Sequence, residues 1–215
     1  MMARQIFFLV LLVFGLSACS IRESASPFGE DVLFHDEFVL GQTADWQFEG
    51  DAQGRTTIVN EQLMVELNAP NTMQFSSLPE QSYDNFIFEV DARQLAGDPG
   101  NTYGVLFRMQ DAAQFYRFEL TGDGFYMVER RNANGTWTRF VDDWTESSAI
   151  TRGINALNRI RIEANGSTFS AFVNDQLVHQ FTDNAYASGS IGLDAGTFTQ
   201  PHTQALFDNV ILRSP

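Results

Sequence analysis

Two acidic residues form the pair in this sequence that comes nearest to a catalytic arrangement. Glu89 and Asp91 lie two positions apart in the segment 89–94. On a β-strand such residues share a face, about 6.7 Å apart along the chain. Retaining glycoside hydrolysis uses two carboxyl groups about 5–5.5 Å apart, so this pair is compatible with that chemistry. The same spacing also occurs on any solvated strand face, which is the interpretation favoured here.

Other catalytic patterns are absent from the sequence. His35, His179 and His202 have no spacing typical of a metal site. There is no Gly-x-Ser-x-Gly elbow and no phosphate-binding loop. The sequence therefore gives no support to a zinc enzyme, a serine hydrolase or a kinase.

Charged residues recur at matching parity on three successive predicted strands. They are Arg108, Arg117, Glu119 and Glu129. Residues of one parity share a sheet face, so these side chains can line a groove. Trp137 follows closely and, with Trp144 and Tyr126, can supply an aromatic platform. Arginine and carboxylate groups suit paired sugar hydroxyls, which predicts a ligand site. The alternative is cross-strand ion pairing on a wet sheet face.

Acidic residues also occur at the two ends of the predicted domain. Asp36 belongs to the first strand and Asp208 to the last, followed by Asn209. If the terminal strands pair, these oxygens can converge on a structural Ca²⁺. The alternative is that each acid protects an edge strand from unwanted pairing.

The N-terminal segment is typical of an export signal. Arg4 precedes an apolar stretch from Ile6 to Gly15, which is shorter than the roughly 20 residues of a membrane-spanning helix. The segment 16–19 reads Leu-Ser-Ala-Cys and resembles a bacterial lipobox. This resemblance implies cleavage before Cys19, acylation with chains such as palmitate, and attachment to the inner or outer membrane on its extracytoplasmic side. The alternative is an ordinary signal peptide cut after Ala18. The predicted organisation is a signal peptide at 1–18, a lipidated tether at 19–30 and one domain at 31–215.

Composition narrows the function classes. The net charge of −14 argues against a nucleic-acid partner and against adhesion to anionic lipid by charge. Twenty Phe residues can build a sizeable core, and the single cysteine excludes an intrachain disulfide.

The region 31–212 consists of short alternating runs separated by turn residues. Alternation is clearest from Arg159 to Ala164, where apolar and charged residues alternate. Asn134-Gly135, Asn165-Gly166 and Asn174-Asp175 lie between such runs and predict tight hairpins. Many short strands without a helical period predict an all-β antiparallel sandwich or barrel.

Several segments together resemble the concanavalin A-like lectin/glucanase superfamily, which includes laminin G-like domains. They are Phe34–Phe38, Trp46, Gly104–Arg108, Phe115–Glu119, Asn158–Ile162, Phe172–Leu177, Gly189–Leu193 and Phe207–Val210. The resemblance implies a single antiparallel jelly-roll β-sandwich. Members bind glycans, hydrolyse glycans or serve as spacers, and similar modules often hold a structural calcium. Glucanases of this group carry a Glu-Asp-Glu motif on one strand. Glu89 and Asp91 match its first two acids, but Arg93 or Gln94 stands where the third belongs.

These observations favour a non-catalytic carbohydrate- or ligand-binding module on a membrane-anchored lipoprotein. Two alternatives remain open. One is a glucanase-type glycoside hydrolase that uses Glu89 and Asp91, and the other is a purely structural envelope lipoprotein.

Overall fold

Fifteen strands build the part of the chain that the structure, a computed structural model, describes: residues 31–215. They are β1 (Val32–Asp36), β2 (Gly54–Val59), β3 (Gln62–Leu67), β4 (Met73–Ser77), β5 (Phe86–Gly97), β6 (Thr102–Asp111), β7 (Gln114–Thr121), β8 (Phe125–Arg131), β9 (Trp137–Arg139), β10 (Thr145–Glu146), β11 (Asn158–Asn165), β12 (Thr168–Val173), β13 (Gln176–Thr182), β14 (Ser190–Gly196) and β15 (Thr203–Arg213). Cys19 and the predicted lipid anchor lie outside the described residues. Within 31–215, no helix has the length and apolar character needed to cross a membrane.

The strands form two antiparallel sheets. Sheet I has the order β13-β12-β11-β5-β15-β3-β2, with β1 also paired to β15. Sheet II has the order β10-β8-β7-β6-β14-β4, with β9 paired to β8. Strands distant in sequence are neighbours in both sheets, so the chain crosses repeatedly from one sheet to the other. The prediction of an all-β antiparallel sandwich is confirmed.

Alternating side chains decide which face of each strand is buried. On β11, Ile160, Ile162 and Ala164 are buried in the core, while Arg159 is exposed. The sequence from Arg159 to Ala164 thus behaves as predicted, because its apolar side chains pack inward and its polar ones face water.

Aromatic side chains fill the space between the sheets. Phe107 and Tyr116 of sheet II pack against Phe169 of sheet I, with ring centroids 5.6 Å and 4.8 Å from it. Phe169 in turn stacks on Phe181 at 4.9 Å. Eight Phe side chains of the described domain are buried in this core, where such large rings supply much of the packing.

Short hairpins connect several neighbouring strands. Asn174 and Asp175 have φ angles of 50° and 65° and link paired residues Val173 and Gln176. Two consecutive positive φ angles are typical of the hairpin turn whose twist matches the flanking strands. A second hairpin joins β11 to β12 at Gly166, whose φ is 56°. The predicted turns at Asn165 and Asn174 are confirmed.

Candidate ligand-binding cleft

The outward face of sheet II contains a cleft of about 330 Å³. Strands β6 to β9 and β14 provide its floor, and loops at their ends provide its walls. Its lining includes Arg117, Glu119, Glu129, Trp137, Trp144 and Phe198. We refer to it as the sheet II cleft.

Strand alternation and register bring the predicted charges together. On β7, Tyr116 and Phe118 pack into the core, so Arg117 and Glu119 between and beyond them face outward. Arg117 lies directly opposite Glu129 of β8. Four of the five predicted ligand-binding residues, including Trp137, therefore line one cleft.

Arg117 is the centre of an ion cluster on the cleft floor. Its Nε lies 3.2 Å from a carboxylate oxygen of Glu119, and its Nη2 donates a hydrogen bond to Glu129. Its Nη1 lies 3.9 Å from an oxygen of Asp194. Three carboxylates thus surround one guanidinium, which is itself largely buried.

Asp194 of β14 is a member of this cluster that sequence reasoning missed. It is fully buried, and neither of its carboxylate oxygens accepts a hydrogen bond from a described residue. Burial raises the pKa of Asp194 well above its ordinary value, and the neighbouring charge of Glu119 raises it further. A sequence signal existed, because Asp194 is the only charged residue in the otherwise uncharged strand 190–196.

Glu119 has a similar environment. Burial raises the pKa of Glu119, although the positive charge of Arg117 and the hydroxyl of Thr102 oppose that shift. The Thr102 hydroxyl donates to Glu119 at 2.7 Å. A carboxyl pair in such a setting binds a proton more readily than free carboxylates do.

A glycine of β6 separates the two acids in the register of sheet II. Gly104 of β6 lies between them, opposite Asp194 on one side and Glu119 on the other. A Cβ at Gly104 would lie 2.1 Å from the backbone oxygen of Phe118, so no other residue fits without displacement. Glycine is therefore required for the close approach of the β6 and β7 backbones at the position that Glu119 and Asp194 flank.

Aromatic residues border the ion cluster. The guanidinium carbon of Arg117 lies 4.4 Å from the ring centroid of Trp137, which is 37% exposed. Trp144 and Phe198 form an edge-to-face pair with centroids 5.8 Å apart. Tyr126 does not contribute to this platform, because it is buried and its hydroxyl donates to the backbone of Val178.

Arg108 does not join the cleft, contrary to the sequence prediction. Its φ is 46°, and the register of β6 shifts just beyond Phe107. This bulge turns Arg108 inward, where its guanidinium lies 4.6 Å from the ring centroid of Phe169. There it donates to the backbone oxygens of Asp84 and Tyr186, so its role is structural.

Glu89 and Asp91 lie on the other sheet, away from the cleft. They belong to β5, and their side chains are on the outward face of sheet I. Glu89 accepts a hydrogen bond from Arg213. Asp91 accepts hydrogen bonds from Arg159 and Asn209, each at 2.9 Å. Both carboxylates are therefore occupied by neighbouring side chains.

The structure does not bring Asp36 and Asp208 together, although β1 and β15 pair as expected. Asp36 is buried and accepts hydrogen bonds from the backbone of Phe38 and Ala44 and from the indole of Trp46. Asp208 faces outward and accepts one from Gln62 at 3.0 Å. The predicted calcium ligands thus have separate partners. Nowhere in 31–215 do three or more His, Cys, Asp or Glu side chains form a group suited to a metal ion.

Comparison with solved structures identifies the fold. The carbohydrate binding module CBM66 from Bacillus subtilis superposes with a TM-score of 0.63 at 20% identity, covering 79% of this chain and 95% of that chain. The β-glucanase of Bacillus licheniformis has a TM-score of 0.63 at 14% identity, covering 86% and 99%. LamAcat from Zobellia galactanivorans has a TM-score of 0.60 at 12% identity, covering 86% and 98%. The concanavalin A-like jelly roll expected from the sequence is confirmed.

Family membership rests on a match over the whole described domain. No curated protein with a similar sequence was found. The family model of the 3-keto-alpha-glucoside-1,2-lyase-like domain, however, matches residues 32–213. The chain therefore belongs to the 3-keto-alpha-glucoside-1,2-lyase-like domain family.

Proposed function

We propose that this protein is a carbohydrate-binding module that holds its ligand in the sheet II cleft. The observation that carries this proposal is the cluster of Arg117, Glu119, Glu129 and Asp194 beneath a rim of Trp and Phe side chains. Sugar sites typically combine a few well-placed polar groups with aromatic or apolar walls. The likeness in fold to a carbohydrate binding module supports the same conclusion.

Hydrolysis by Glu89 and Asp91 is not the activity that we propose. Both carboxylates are engaged by arginines on the outward face of sheet I. Neither residue lines the sheet II cleft. A glycosidase needs its two carboxyl groups free to reach opposite sides of the bond that breaks.

An enzymatic function of the sheet II cleft is the second candidate. Glu119 and Asp194 are adjacent buried carboxyl groups whose pKa values burial raises, as expected of an acid–base pair. The description of the family names a lyase. In an elimination from a keto-glucoside, the carboxylate of Glu119, which lines the cleft, would take the proton from C2. The C1–O bond then breaks, and the carboxyl group so formed returns its proton to the departing oxygen, while Asp194 beneath the cleft acts on Glu119 and not on the sugar.

One set of experiments separates these two functions. Calorimetric titration of the purified protein against a glycan panel should detect binding that Trp137→Ala weakens, because Trp137 is exposed in the cleft, and that Glu89→Gln preserves. Incubation with keto-glucosides and glucans, followed by chromatography, tests for turnover. Turnover lost in a folded Glu119→Gln variant would establish the enzyme, whereas binding without turnover supports the module. If no glycan binds and none is converted, the purely structural role is the one that remains.

We also propose that acyl chains on Cys19 attach the protein to the bacterial envelope. The support is the lipobox-like segment 16–19 after an apolar stretch. Two or more acyl chains give stable anchoring, because each buried methylene contributes about 0.8 kcal/mol. Intact mass spectrometry of the membrane-extracted protein should show a chain that starts at Cys19 with acyl additions. Unchanged membrane attachment of Cys19→Ala would contradict this proposal.

A further inference from the structure

Three carboxylates gather around one buried guanidinium on and beneath the cleft floor. Glu119 and Glu129 line the cleft beside Arg117, Asp194 is buried beneath them, and a second guanidinium, that of Arg139, lies at the rim. The Nε of Arg139 is 3.8 Å from Glu129, and its side chain is 54% exposed. Water screens that charge far more than it screens the buried ones.

Each guanidinium nitrogen of Arg117 already has a partner among the described side chains. Its Nε faces Glu119, its Nη2 donates to Glu129, and its Nη1 contacts the sulfur of Met73 at 3.1 Å. The ring of Trp137 covers one face of the guanidinium. A ligand carboxylate or sulfate near this centre would therefore meet the outer oxygens of the carboxylates.

The cleft lining also has more hydrogen-bond acceptors than donors. The carboxylates of Glu119 and Glu129, which line the cleft, offer four acceptor oxygens, whereas the donors around them are mainly those of Arg117 and the hydroxyl of Thr102. Asp194 is buried beneath them and contributes its charge, not a surface for a ligand. The cleft lining thus has acceptor capacity that hydroxyl donors of a ligand can satisfy.

We infer that the sheet II cleft selects sugars that present free hydroxyl groups and carry no carboxylate or sulfate. This inference rests on the proposed carbohydrate-binding function and names its ligand class. The carboxylates of the cluster would repel such an anion, because like charges brought together in a partly buried site are unfavourable. Even with one proton shared between Glu119 and Asp194, no cation in the cluster becomes free.

Matched sugar pairs test the inference directly. The probes are the methyl glycosides of glucose, galactose and mannose, each compared with its uronate, which differs only at C6. Indole N–H signals in nuclear magnetic resonance report the binding, because the protein has three Trp residues. Trp137 and Trp144 line the cleft, whereas buried Trp46 lies in the core and serves as the internal control.

We expect the signals of Trp137 and Trp144 to shift with at least one neutral glycoside while that of Trp46 stays in place. The matching uronate should bind at least about tenfold more weakly, the equivalent of about 1.4 kcal/mol. Glu129→Gln should narrow this gap by removing one of the repelling charges. Glu163→Gln is the control, since it removes the same charge from the ion pair with Arg161 on sheet I and should leave the gap unchanged.

Three outcomes would separately contradict the charge selection, its location in the cleft, or the sugar site itself. A uronate that shifts Trp137 and Trp144 as strongly as its neutral partner refutes the charge selection but keeps the sugar site. An equal effect of Glu129→Gln and Glu163→Gln means that overall charge, rather than the cleft, causes the discrimination. If no sugar moves either signal, the proposed function fails, and the inference fails with it.

Discussion

Replacing Arg117 with Met should strongly destabilise the protein, because Arg117 is the central cation of a buried cluster. Met keeps much of the aliphatic volume but removes the charge and all five N–H donors. Glu119 is 2% exposed and Asp194 is fully buried. After the substitution, these carboxylates and Glu129 would lie close together with no buried cation among them.

The magnitude follows from the burial of the partners. Removing one member of a buried ion pair lowers the free energy of unfolding by about 3–5 kcal/mol, because an uncompensated charge remains buried. For a domain of this size that corresponds to a fall in melting temperature of about 6–20 °C. Arg139→Met is the matched control, since Arg139 is 54% exposed and 3.8 Å from the same Glu129. An exposed pair of that kind contributes about 0–1 kcal/mol.

Urea unfolding of both variants over a pH series measures the effect and its cause. Burial raises the pKa values of Glu119 and Asp194 above their unfolded values. Such groups contribute stability that is fully present below the unfolded pKa and is lost as pH rises through the folded pKa. The deficit of Arg117→Met should therefore be small in acid and grow towards neutral pH. A deficit that does not change with pH, or that matches the deficit of Arg139→Met, would refute this reasoning.

Three further substitutions have clear expected outcomes. The free energy of unfolding of Asp194→Asn should exceed that of the unmodified protein by a margin that grows as pH rises above the ordinary carboxylate pKa, because burial raises the pKa of Asp194. Urea unfolding over a pH series measures this margin, and a margin that does not change with pH contradicts the prediction. Arg108→Met should cost about 1–3 kcal/mol by calorimetry, because Arg108 is buried and the carbonyl oxygens of Asp84 and Tyr186 lose its hydrogen bonds; a loss below about 0.5 kcal/mol would mean that water replaces them. Glu89→Gln should change stability by at most about 1 kcal/mol and leave glycan binding intact; lost binding would relocate the site to sheet I.

Much of the fold was predictable because alternation directly records which face of a strand is buried. On β7, the sequence alone separates core residues Tyr116 and Phe118 from outward residues Arg117 and Glu119. The same parity rule on β8 placed Glu129 beside Arg117. Neighbouring strands in the chain are joined by hairpins here, so their faces could be matched without knowing the rest of the topology.

The rule failed where the backbone departs from regular alternation. Arg108 has the parity of Leu106, which faces outward, but the bulge at Arg108 reverses its direction. A bulge requires local backbone geometry that no single residue type specifies here, and Arg is not a residue that favours a positive φ. Parity counted past a bulge therefore assigns a side chain to the wrong face.

Residues contributed by distant strands were the other omission. Asp194 lies 75 positions after Glu119 in sequence. In sheet II, however, only β6 separates the strand of Asp194, β14, from the strand of Glu119, β7. Such neighbours depend on the strand order of the jelly roll, which the sequence pattern does not reveal. Asp36 shows the reverse case, because its apparent availability as a ligand disappears once the loop that contains Trp46 folds over it.

The cost of the ion cluster itself favours a role in binding. A buried ion cluster contributes little net stability, and well-packed apolar residues in its place are often neutral or stabilising. The same outward face of sheet II also contains a buried apolar cluster, formed by Leu106, Met109 and Phe115. Folding alone therefore does not require charges at Arg117, Glu119 and Asp194. A ligand that uses the acceptor oxygens of Glu119 and Glu129 would give the cluster a physical reason to be present, which is why we propose the cleft, and not the outward face of sheet I, as the place of carbohydrate recognition.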